Sequence, residues 1–78
     1  MVLDLQNNQL QNLPPGVFEG FGKLHTLNLS NNRINYVDPE IFRVLNKLQR
    51  LTLTGNPLTQ ENIDRLKQVL PRVGIIFK

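Results

Sequence analysis

His25 is the one imidazole in the chain, and an imidazole does general acid or base work only with a nucleophile or carboxylate within hydrogen-bond reach. No Cys and no Ser-Asp pair accompanies it at a recognisable spacing, so His25 reads as a surface residue at the start of a strand, without a catalytic role. A metal would need several ligands converging on one point, and the carboxylates Asp4, Glu19, Asp38, Glu40, Glu61 and Asp64 are scattered along the chain. No glycine-rich phosphate loop is present. The absence of cysteine excludes disulfides, thiolate metal sites and thiol nucleophiles. The expectation is a non-enzymatic protein with no cofactor and no bound metal. Asn28-Leu29-Ser30 matches an N-glycosylation acceptor, but so short a pattern arises readily by chance, and these residues read as part of a strand.

What the residue types do repeat is hydrogen bonding and apolar burial. Leu3 and Leu5, Leu27 and Leu29, and Leu51 and Leu53 occupy matched positions 24 residues apart, followed at one offset by Asn8, Asn32 and Asn56, then by Leu10, Ile34 and Leu58. A period of this length implies a solenoid whose units bury their apolar edges only against their neighbours. The leucine alternation is the two-residue period of a short strand with the leucines inward. Each Asn falls where the strand must turn, and its amide can satisfy backbone groups that the bend leaves unpaired, so stacked copies would form a ladder. Pro14-Pro15-Gly16 stops a strand or long helix in the first unit, leaving an irregular return arc with Phe18, Phe21 and Leu24 on its buried edge. The second unit repeats these columns with Pro39, Phe42, Leu45 and Leu48. Since every unit runs the same way and returns by the other side, the strands must be parallel.

Composition agrees with a small single domain. The chain has 78 residues, a formal net charge of +3, and no apolar run near the roughly 20 residues that a membrane span requires. It reads as soluble, with no membrane contact. Arg43, Lys47, Arg50, Arg65, Lys67, Arg72 and Lys78 are dispersed, and the phenylalanines stand at core phase; a nucleic-acid surface would need a basic stripe with stacking aromatics. The N-terminus lacks the basic and apolar regions of a secretory signal. Compartment is therefore unassigned: cytoplasmic, or secreted with a signal removed.

The last segment is a modified fourth unit. Thr59 is a helix N-cap with Glu61 in the first turn, Ile63, Leu66, Val69 and Leu70 share one face, and Pro71 closes a helix of about ten residues. Leu66 and Val69 lie 24 beyond Phe42 and Leu45, and Ile75 and Phe77 lie 24 beyond Leu51 and Leu53, so a fourth strand follows the helix.

The pattern Leu-x-x-Leu-x-Leu-x-x-Asn-x-Leu, filled by Leu24, Leu27, Leu29, Asn32 and Ile34 and again by Leu48, Leu51, Leu53, Asn56 and Leu58, resembles that of leucine-rich repeats. The 24-residue length with Leu-Pro-Pro-Gly-Val-Phe after the Asn turn looks like the typical class seen in small leucine-rich proteoglycans, Toll-like receptors and lamprey variable lymphocyte receptors. The Cys-free helix-and-strand ending is similar to the ends of some bacterial leucine-rich repeat proteins. The expected fold is α/β: a short right-handed solenoid with about four parallel strands, repeats over residues 1–58 and a helix-strand cap over residues 59–78.

Two surfaces are candidates for function. The outward residues of the strands, Asp4, Gln6, Thr26, Asn28, Ser30, Arg50, Thr52, Thr54 and Ile76, with Val2, Gly74 and Lys78 in the same columns, form a concave face for a protein ligand, Arg50 and Asp4 setting its charge complementarity. Val2, Leu3, Leu5, Leu10 and Phe18, with Leu13 and Phe21, would line the outer side of the first unit, an edge suited to homodimer formation or to a truncated or engineered scaffold that contacts itself. Charged residues at Leu3 and Leu5 are expected to unfold the chain or block assembly, whereas changes at Thr52 or Ser30 should alter stability by no more than about 0.5 kcal/mol in denaturant titration.

Overall fold

The computed structural model describes residues 1–77. Three-residue strands recur at the expected beat: β1 (Val2–Asp4), β2 (Thr26–Asn28), β3 (Arg50–Thr52) and β4 (Gly74–Ile76). They pair in sequence order as one parallel sheet. The register advances by 24 residues per strand, so Leu3, Leu27, Leu51 and Ile75 lie side by side. Just beyond the strands, the N–H groups of Leu5, Leu29 and Leu53 donate to the carbonyls of Asn28, Thr52 and Ile76 at 2.8, 2.8 and 2.6 Å. These bonds extend the same stacking to a second row. Leu27, Leu29, Leu51 and Leu53 are fully buried, while Leu3, Leu5, Ile75 and Phe77, with a neighbour on one side only, are half-buried.

The asparagine column holds the turn that ends each strand. Asn32 donates through Nδ2 to its own coil at Leu29 O (2.9 Å) and to the coil before at Leu5 O (3.0 Å). Its Oδ1 accepts from Leu10 N at 3.1 Å. Asn56 repeats the arrangement with Leu53 O, Leu29 O and Ile34 N. Asn8 makes only the local half, to Leu5 O and Gln6 O. The amides of Asn32 and Asn56 thus satisfy backbone groups on two coils and lock their relative height. The position before this column must take a left-handed backbone: Asn7, Asn31 and Gly55 have φ of 61, 57 and 79°. Asn and Gly are the residues that reach this region most readily. At Gly55 a side chain would also run into that of Asn31 in the coil below.

The return arcs differ from coil to coil. In the first, turns replace helix over residues 15–20; in the second, Pro39–Phe42 forms a short 3-10 helix whose N-cap, Asp38, accepts from Glu40 N at 3.0 Å. Pro39 suits the first position because its missing N–H would have no helical partner there. In the third the arc becomes the regular helix α1 (Gln60–Val69). Thr59 caps it by accepting from Asn62 N at 3.1 Å, and Ile63 and Leu66 on its inner face are fully buried. Leu70 N donates to Leu66 O at 2.8 Å before Pro71 ends the segment.

Phe18 departs from the expected outer edge. It is only 1% exposed and stacks on Phe42 with ring centroids 5.6 Å apart, because its ring turns toward the second coil rather than away from it. The outer side of the first coil is lined instead by Leu3, Leu5, Leu10, Leu13 and Phe21, all half-buried.

Asn32→Ala deletes the amide that satisfies Leu5 O, Leu29 O and Leu10 N. It is expected to cost about 2–4 kcal/mol in urea unfolding, against less than about 1 kcal/mol for Asn8→Ala, whose amide serves one exposed coil.

Candidate functional site

Strand alternation decides which side chains leave the core. With Leu3, Leu27, Leu51 and Ile75 inward, their strand neighbours form three outward columns across the sheet. The first holds Val2, Thr26, Arg50 and Gly74, and the second Asp4, Asn28, Thr52 and Ile76. Gln6, Ser30 and Thr54 continue these as a third column just beyond the strands. Lys78, assigned to that column from sequence, lies outside the described residues.

These residues are not equally available. Asp4, Gln6, Arg50 and Gly74 are exposed, and so are Val2 and Ile76; Thr26, Asn28, Thr52 and Thr54 are half-exposed. Ser30 is buried, at 7%, which removes it from the set of free surface positions. Its place between two other coils, with its carbonyl accepting from Asn7 N at 2.9 Å and from Asn32 Nδ2 at 3.3 Å, draws it into the turn. The face is therefore closed at Ser30 and open at Val2, Asp4, Gln6, Arg50 and Ile76.

Two members of the face also serve the fold. Asp4 Oδ1 accepts from Gln6 N at 3.1 Å, and its Oδ2 from Gln6 Nε2 at 2.9 Å. Asn28 Oδ1 accepts from Ser30 N at 3.0 Å in the same way. A short side-chain acceptor two residues before a free N–H closes a local turn, and that i to i+2 relation was the available signal in the sequence. Arg50 carries no such duty. Its guanidinium has no ion pair among the described residues; the salt bridge that they do make, Arg43 to Glu40 at 3.0 Å, is on the return side.

Other sequence candidates fall apart in space. His25 is exposed, with Nδ1 3.2 Å from the Met1 amino group, and no nucleophile bonds to it among the described residues. Among the described residues, no three His, Cys, Asp or Glu side chains gather as a metal site, and no helix is long and apolar enough to cross a membrane. A buried polar residue that the sequence reading passed over is Asn62, 2% exposed, which accepts from Val37 N and donates to Val37 O, both at 2.8 Å. Its spacing gave a sign: Asn62 stands four positions before Leu66, on the inner face of α1.

Parallel three-residue strands, an Asn turn bridging successive coils and return arcs of mixed character define a leucine-rich repeat solenoid. The leucine rich repeat family profile matches residues 1–58, and the chain belongs to that family. A solved leucine-rich repeat protein of Leptospira interrogans is similar, with a TM-score of 0.83 and 36% sequence identity over 95% of this chain. The match covers 18% of that protein's chain, so the sequence spans less than a fifth of its length. A search of curated proteins returns no match. Leucine-rich repeat domains in general bind proteins, and the fold is typically a non-enzymatic interaction scaffold.

The unequal exposure of the face has a direct test. Ser30→Arg, which strand phase alone groups with the neutral changes at Thr52, is instead expected to destabilise the chain by about 1–3 kcal/mol through overpacking, while Thr52→Arg stays within about 0.5 kcal/mol, both read by urea denaturation.

Proposed function

We propose that this chain is a protein-recognition module that grips its partner with the concave sheet face, residues 1–58 supplying the repeats and residues 59–78 closing the stack as a helix-strand cap. The observation that carries this reading is the division of labour between faces of the strands. Inward residues are consumed by packing, whereas Arg50, Thr52 and Ile76 project from two adjacent paired strands, and loss of any of their side chains leaves the buried core intact. Side chains held on paired strands lose little freedom on binding, which favours recognition. Four strands offer a patch near or below the roughly 800 Å2 per partner of a standard interface, so a single copy of this face suits a peptide or a loop better than a flat domain.

A second reading is favoured by the half-buried leucines of the first coil, Leu3, Leu5 and Leu10, next to the exposed Met1 and Val2: this side would pair with a second copy of the chain. Isologous pairing of β1 edges would cover them at once.

The readings separate in two measurements. Binders selected from a displayed random-peptide library and mapped by amide chemical shifts should perturb Thr26, Asn28, Arg50, Thr52, Thr54 and Ile76. A map centred on Tyr36, Val44 or Lys67 overturns the concave-face reading. Sedimentation across protein concentration should show one monomeric species under that reading; a dimer that dissociates on Leu10→Glu supports the second.

A further inference from the structure

Gly74 is the one residue of the concave columns without a side chain, and nothing in its own backbone demands that. Its φ lies outside the left-handed region, and a Cβ placed there would make only an ordinary contact, 3.5 Å from Gln49 O. The aligned positions are Val2, Thr26 and Arg50, all of which a strand accepts. Glycine inside a strand weakens it and frequently marks a place where another backbone or a ligand comes close. The neighbour across the ladder is Arg50, whose side chain is exposed and without an ion pair among the described residues. The acid of the same face, Asp4, is two strands away, about 10 Å at the usual strand spacing. Its carboxylate is already taken by Gln6. Beside this pair in the next column stand Thr52, a hydroxyl, and Ile76, an aliphatic chain 45% exposed.

Resting on the concave-face reading, we propose that Arg50 and the notch over Gly74 form the anchoring subsite for a polypeptide segment bearing a carboxylate side chain. The segment's backbone passes close over Gly74, its Asp or Glu meets the Arg50 guanidinium, and an adjacent apolar side chain lies against Ile76. A guanidinium fork matches a carboxylate with two parallel N–H donors, which a lysine ammonium cannot reproduce. Charge complementarity selects the partner: among the described residues, the subsite presents a cation without an ion pair and no competing acid.

The test uses peptides enriched on the intact chain from a displayed random library. Enriched sequences should carry an Asp or Glu, and replacing that residue by Asn or Gln should weaken binding about tenfold or more. R50Q should weaken the same peptides about tenfold to a hundredfold, and R50K should recover only part of the loss. G74V should weaken them about tenfold by filling the notch while leaving thermal stability unchanged or raised, since valine suits a strand. Shifts centred on the Gly74 and Ile76 amides and the Arg50 Nε–H complete the expected result. Enriched peptides that bind this face without an acidic residue, or that ignore both R50Q and G74V, overturn the inference and leave the concave-face reading standing. Peptides that map to the return side, or a library that yields no binder, overturn both. Competition by inorganic phosphate but not by acetate at matched ionic strength assigns the subsite to phosphate and overturns the carboxylate partner.

Discussion

A strand of three residues buries a single side chain on its inner face, and no coil of this chain closes around that side chain alone. The molecule depends on laying each aliphatic row directly over the row of the coil beneath, so that Leu27 and Leu51 are covered from both sides while Leu3 and Ile75 are covered from one. At about 25 cal/mol per Å2 of apolar surface, the difference between one neighbour and two amounts to roughly a kilocalorie for each leucine. Such a stack tolerates no slip, because a strand displaced by one residue would turn its leucine outward and its polar neighbours into the core.

The asparagine column answers that requirement. Apolar contact fixes how close two coils stand but leaves their height relative to each other soft; the amides of Asn32 and Asn56 bond to both coils at once and remove that freedom. Asn62 does the same task on the return side, where α1 meets the residue Val37 of the coil before it. Lys67 over the ring of Phe77, 5.5 Å from its centroid, ties the far side of the same helix to the last row. Polar residues in this molecule therefore serve register as often as solubility.

Because scaffold and surface share each strand, they are less separable than alternation suggests. Asp4 and Asn28 face outward and still hold the turn that follows them, and Ser30 is outward by phase yet buried by the coils on either side. Outside those turns, the face keeps Arg50, Gly74 and Ile76 exposed on the β3 and β4 side and Val2 exposed on β1.

The period, the strand positions, the parallel direction, the Asn turns and the capped helix at Gln60–Val69 were all legible in the chain itself, since each is written as a residue type recurring at a fixed interval. The left-handed column of Asn7, Asn31 and Gly55 was written there too, in the same interval, though its two residue types disguised it. What only the folded molecule decided is exposure. Phe18 and Ser30 are buried by residues of neighbouring coils, Asp4 is occupied by a side chain next to it, and Arg50 makes no ion pair among the described residues. Periodicity states which way a side chain points; what stands in front of it depends on coils a full repeat away and on the curvature that brings them near or holds them off.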